Sequence, residues 1–209
     1  MGENVTLEDL RLCARGNAPL EISLALTYPS GIDTYLPTVN KALDWIATEF
    51  AKTPKERQDR TEDGLSIDLV HSLSCMGFEA SHDTTVGGHC DIVIQGKWSF
   101  LWLGEAKKHR SYDWLLKGFE QLDKRYATAT SGQDHGAVVI YCFGHRIDQV
   151  MERWKAKLTE AREDITIHPD PDNDLGFISV HEHRRTGRDY TVRHLPVSLL
   201  WDPEDKEAA

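Results

Sequence analysis

The sequence predicts a mixed α/β domain, a central sheet flanked by helices, and three observations predict it. Apolar residues recur at helical spacing in four segments, 39–52, 61–76, 112–128 and 146–163. Residues 137–143, Ala-Val-Val-Ile-Tyr-Cys-Phe, form a continuous apolar run, as a strand buried on both faces requires. From Thr61 onward the order reads helix, three strands, helix, strand, helix, the order of a sheet covered by helices.

Local signals place each element. Leu20, Ile22, Leu24 and Leu26 alternate with Glu21, Ser23 and Ala25, which predicts a strand in an N-terminal helical and extended addition. Pro29-Ser30-Gly31 and Pro37 punctuate it. Leu43, Ile46 and Phe50 then mark a helix. The polar run 53–60 is the candidate boundary between an N-terminal segment, 1–60, packed on the core and the main domain, 61–201. Thr61 caps the next helix, and Gly77 stops it just after Met76. Strands are expected over 79–82, 90–95 and 100–106, with Gly87-Gly88 and Gly96-Lys97 as turns. After the helix over 112–128, the buried strand and the helix over 146–163, residues 176–183 and 190–195 around Thr186-Gly187 predict a C-terminal hairpin. Residues 202–209 form an acidic tail.

A chain of 209 residues fits one domain and hides about 70% of its unfolded surface. Its 40% hydrophobic content and six tryptophans argue against disorder. No apolar run approaches the roughly 20 residues of a membrane span, and no charged-then-apolar leader opens the sequence. Cys13, Cys75, Cys90 and Cys142 lie far apart without a CxxC pair, which predicts reduced thiols in a cytoplasmic protein. Met1-Gly2 through Thr6 meets the loose myristoylation pattern, but no polybasic partner supplies a second anchoring signal. The net charge of −10 weighs against a uniformly basic nucleic-acid surface. Basic residues gather locally, in Lys107, Lys108, Arg110, Lys117, Lys124 and Arg125 and again in Arg184, Arg185, Arg188 and Arg193.

The chemistry centres on Gly88-His89-Cys90-Asp91-Ile92-Val93-Ile94 and Leu101-Trp102-Leu103-Gly104-Glu105-Ala106-Lys107. On a strand alternate side chains share a face, so Glu105 and Lys107 project together. A carboxylate and an ammonium at the end of an apolar strand are costly without partners. Mg²⁺ is one such partner, since it takes one or two carboxylates plus waters and phosphate oxygens. Asp91 and Glu105 are the candidate ligands, with the Ala106 carbonyl beside them. The metal would activate a water, and Lys107 would orient that water and neutralise charge in the transition state. Glu62 falls on the apolar stripe of its helix, with Leu65, Leu69, Leu73 and Met76, and is a fourth candidate; Asp68 is the second choice there. The structural alternatives are a helix-start carboxylate for Glu62 and a silent buried ion-pair network for the rest.

Asp91 followed by Glu105-Ala106-Lys107 resembles the motif of the PD-(D/E)xK nuclease superfamily, over roughly residues 61–143. Cys90 stands where most members carry proline. The resemblance implies a restriction-endonuclease-like core, with Asp91, Glu105, Lys107 and Glu62 catalytic and Mg²⁺, or Mn²⁺ in its place, as cofactor. Gln121-Leu122 and Tyr126 resemble the glutamine-bearing helix of many members, which adds Gln121 to the site. Lys108, Lys117, Lys124 and Arg125 become candidate nucleic-acid contacts; a solvated helix face is the plainer reading of Lys124 and Arg125. The implied activity is cleavage of DNA, in bacterial or phage-related defence or repair. With no helicase or processivity segment beside the domain an endonuclease is expected, and the net charge of −10 favours a homo-oligomer or a partner subunit. The rivals are RNA cleavage on the same fold and a catalytically silent interaction module. His82, His89 and His109 lie near the motif in sequence, with His89 or His109 the candidates for phosphate contact. His181 and His183 share a strand face but lack further ligands for zinc.

Overall fold

The computed structural model describes residues 4–202, so the Met1-Gly2 pattern and the acidic tail beyond Asp202 lie outside it. The elements run α1 (Leu7–Ala14), α2 (Ala18–Thr27), α3 (Tyr35–Lys52), α4 (Glu62–Cys75), β1 (Glu79–Ser81), β2 (Thr84–Thr85), β3 (His89–Cys90), β4 (Ile92–Gln95), β5 (Leu101–Lys108), α5 (Tyr112–Gln121), β6 (His135–Cys142), α6 (Ile147–Ala161), β7 (Thr166–Pro169), β8 (Phe177–Glu182) and β9 (Asp189–Ser198). Seven strands form one mixed sheet in the order β1-β4-β5-β6-β9-β8-β7. The β5–β6 and β6–β9 pairs are parallel and the others antiparallel.

Strand alternation divides the core in two. Trp102 and Ala106 of β5 and Val139 and Tyr141 of β6 face one side, where Val39, Leu43 and Ile46 of α3 and Leu65, Leu69 and Leu73 of α4 cover them. Leu103, Val138 and Ile140 face the other side, against Leu115 and Phe119 of α5 and Trp154 and Leu158 of α6. The sheet is thus sandwiched between helical layers, and β6 is buried on both faces as its apolar run requires. Residues on either side of the 53–60 run share the first cluster. Among the described residues no helix is long and apolar enough to cross a membrane.

Two expectations are corrected, and the hairpin, which is present, is extended. The alternating segment 20–26 is helical, within α2. Asn17 caps it by accepting from the Leu20 N–H, and Pro19 pre-sets the first turn. Leu, Ala and Glu favour a helix there, and only Ile22 is fully buried, so period-two burial never had to be met. The C-terminal hairpin exists, but β9 is no appendage, since it pairs along its length with β6 in the middle of the sheet. Its partner edge continues into β7, a strand without a clear sequence signal. The helix after β5 keeps regular α geometry to Gln121, and residues Leu122–Tyr126 form a π-turn.

Candidate active site

The site lies where β4 stops and β5 continues. Their pairing runs only from Gln95–Leu101 to Ile92–Gly104. Beyond Gly104 the β4-facing edge of β5 has lost its partner, and buried backbone N–H groups need acceptors. Carboxylates supply them. Asp91 Oδ2 accepts from the Ala106 N–H at 2.9 Å, and Glu62 Oε2 accepts from the Lys108 N–H at 2.7 Å. Glu62 reaches this edge from the first turn of α4, whose start Thr61 fixes by accepting from the Gly64 N–H. The backbone direction that turns the Ala106 N–H to this edge also turns its carbonyl there.

Glu105 and Lys107 project from the other register of β5, toward α5. The Lys107 ammonium donates to Glu105 Oε1 at 2.6 Å, and it stands 3.4 Å from Glu62 Oε1 and 3.7 Å from Asp91 Oδ2. Both Lys107 and Glu105 are buried. Gly118 allows α5 to close over them: a Cβ there would meet Lys107 Cγ at 2.8 Å and Glu105 Cγ at 3.4 Å. One turn earlier Trp114 roofs the site, its ring 5.3 Å from the ammonium and its Nε1 3.4 Å from Glu62 Oε2. His82 Nδ1 lies 2.8 Å from the Asp91 carbonyl and fixes that backbone.

Three carboxylates thus surround one ammonium, which leaves the cluster negative. Burial raises the pKa of Asp91. Burial, and then repulsion from Asp91, push Glu105 up to about 7. Burial pulls Lys107 down, but Glu105, Asp91 and Glu62 outweigh it and hold the ammonium above its usual value. Cys90, in the proline position, is pushed up to about 12 by burial, which holds it as a thiol.

As they are disposed, no group of three acidic, His or Cys side chains among the described residues makes a ready metal cage. The carboxylates converge on Lys107 Nζ instead. Two features still fit a hard divalent cation: all the donors are oxygens, and Glu105 Oε2 is buried without a hydrogen-bond partner.

Of the other expected residues, Gln121 lies one turn beyond Gly118, half-buried and with no side-chain hydrogen bond among the described residues. Lys117 is exposed, 5.0 Å from the Trp114 ring. Lys108 Nζ donates to the Arg60 carbonyl at 2.8 Å. Lys124 is paired with Glu120 at 2.8 Å, and Arg125 is exposed. Asp68 is turned away, 3.3 Å from Arg60. The second basic group is divided: Arg184, Arg185 and Arg188 are exposed and Arg193 is not. Arg193 is buried against Asp170 and Asp44, and Arg185 donates to the Ala127 carbonyl. His89 pairs with Asp83 on the surface. His181 is buried against Asp123, whose carboxyl burial would raise but which hydrogen bonds from His181 and Arg162 hold down at about 2. Trp114 and Gly118 as site residues were missed; their four-residue spacing on the helix after the motif was the available signal. Comparisons of the chain with family models, curated proteins and solved structures find no match.

Proposed function

We propose that the chain is a Mg²⁺-dependent nuclease of the PD-(D/E)xK type, with a restriction-endonuclease-like core, hydrolysing phosphodiester bonds of DNA. The observation that carries this reading is the convergence of Glu62, Asp91 and Glu105 on Lys107 at an unpaired strand edge. Asp91, Glu105, Glu62 and the Ala106 carbonyl are the groups that would hold the cation. Such an ion, when bound, supplies Lewis acidity to the phosphoryl oxygens and lowers the pKa of water. The chain's own residues do the rest. Lys107, a compact charge with three donors, positions the attacking water and neutralises a non-bridging oxygen. Trp114 excludes solvent above that ammonium, which strengthens its field. The short distance between Glu105 and Lys107 keeps the ammonium aimed before substrate arrives. With a net charge of −10, assembly as a homo-oligomer or docking on a partner subunit would add the phosphate contacts that a single surface lacks.

Mn²⁺ titration by calorimetry tests the cation site directly. Binding by the wild type and its loss in Glu105→Ala support the proposal, whereas equal binding by both proteins refutes it. Parallel assays on DNA and RNA of one sequence decide the substrate.

One observation favours a second reading, a catalytically silent interaction module. Asp91 and Glu62 already satisfy strand N–H groups, so the network is partly self-sufficient. Absence of metal binding together with tight binding of a protein partner would select it.

A further inference from the structure

A polar cavity opens past the end of β5, two residues beyond Lys107. The His109 N–H donates to the Tyr141 carbonyl at 2.9 Å, so the chain keeps to β6 for one residue past the end of β5 before Ser111 caps α5. On the neighbouring strand the chain leaves β6 and enters α6 just after His145. Between the two helix starts lies a cavity of about 210 Å³, lined among others by His109, Arg110, Tyr112, His145, Gln149 and Arg153.

Its charge is of one sign. Two arginines and two histidines line it, and no carboxylate does. Of the acids next to lining residues, Asp113 pairs with Lys157 at 2.9 Å and Asp148 with Arg146 at 2.6 Å, while Glu152, beside Arg153, is exposed and forms no ion pair among the described residues. Among the described residues neither Arg110 nor Arg153 forms an ion pair, although Arg60, Arg146, Arg162 and Arg193 do. The His109 ring packs against Tyr112 and His145, and its Nε2 is shut off from solvent with no hydrogen-bond partner. Tyr112 and Gln149 belong to the first turns of α5 and α6, where the helix dipoles favour an anion. Guanidinium forks are donors that a tetrahedral oxyanion takes.

We propose that this cavity binds a phosphate group, held by Arg110 and Arg153 with the His109 ring beside it. Phosphate binding stands independently of the hydrolytic reading. Assigning the phosphate to the end of a nucleic-acid strand rests on that reading. His109 follows Lys107 by two residues, about 7 Å along an extended chain, so a strand whose scissile bond lies at Lys107 would bring a nearby terminal phosphate to the cavity.

Full-length protein in excess chelator, where no cleavage occurs, is titrated with inorganic phosphate at constant ionic strength while the His109 imidazole is followed by NMR. Matched oligonucleotides with a 5′-phosphate or a 5′-hydroxyl are then compared. Phosphate should shift the His109 resonances. Arg110→Ala with Arg153→Ala should weaken phosphate at least tenfold, and Arg146→Ala, the paired-arginine control, should leave it unchanged. A tenfold or greater preference for the 5′-phosphorylated strand supports the strand-end ligand. Equal binding of the two oligonucleotides, with His109 still responding to inorganic phosphate, supports the site and assigns it free phosphate. Unmoved His109 resonances, or equal losses in the double variant and the control, overturn the proposal. Inactivity of the enzyme would leave these readouts untouched.

Discussion

The Lys107 ammonium lies 2.6 Å from Glu105 Oε1, two positions earlier on the same face of β5. Strand alternation sets the two side by side, and Gly118 lets α5 press them together from above. Their separation is therefore fixed by backbone and helix packing. Because Glu62 and Asp91 also point at this ammonium, its removal and the removal of a carboxylate have opposite electrostatic consequences.

Lys107→Ala leaves three carboxylates with no cation among them, and breaking a buried pair from one side costs about 3–5 kcal/mol. Proton uptake by Glu105 will relieve part of that. We predict a clear loss of stability for metal-free Lys107→Ala at pH 8 by urea unfolding, and a smaller loss for Glu105→Gln. The reverse ranking would mean that the ammonium is not the hub of the cluster.

Glu105 also sets a pH dependence. Its folded value of about 7 lies above the 4.5 of an unperturbed glutamate. Between those values the folded state binds more protons than the unfolded chain. Its contribution is complete below pH 4.5 and is lost as pH rises through 7, by at most about 1.4 kcal/mol per pH unit. The stability of wild type relative to Glu105→Gln, both metal-free, should fall from pH 5 to pH 8. A pH-independent difference would count against a buried, raised carboxyl.

His194 works in the opposite sense. Trp154 Nε1 donates to its Nδ1 at 3.1 Å, so the proton sits on Nε2, 2.9 Å from Ser179 Oγ. Burial depresses its pKa to about 3, well below the 6.5 of the unfolded chain. Stability from this group is complete above pH 6.5 and is lost as pH falls toward 3. NMR should show His194 neutral at pH 5; titration near pH 6.5 would contradict the buried neutral ring.

At Gly118 a single methyl meets the stem of Lys107. Gly118→Ala should leave the protein folded, since alanine suits a helix interior, yet lower cleavage by roughly tenfold to a hundredfold through misplacement of the ammonium. Cleavage at the wild-type rate would show that Lys107 need not be held where it is.

Much of this was legible in the sequence, and the gaps have physical causes. Thr61 and Gly77 bounded α4 because capping and left-handed turns are local chemistry. Asp91, Glu105 and Lys107 were readable because a charged pair ending an apolar strand has few cheap explanations. α2 was misread because alternation of Leu and Ile with short polar residues also fits a helix covered on several sides. Arg193 was assigned to a basic surface, whereas it ties β9 to Asp44 on α3 through a contact 149 residues apart. Such long-range pairing leaves no local trace. The same holds for Gly118, whose role depends on which strand its helix crosses.

Cleavage of supercoiled plasmid DNA, measured for the wild type and Lys107→Ala with Mg²⁺ and with excess chelator, tests the proposed chemistry most directly. The expected result is Mg²⁺-dependent cleavage by the wild type, abolished by chelator, and a loss of a hundredfold or more in Lys107→Ala. Wild-type cleavage that persists in chelator, or that Lys107→Ala retains, would contradict a metal-dependent site built on these residues.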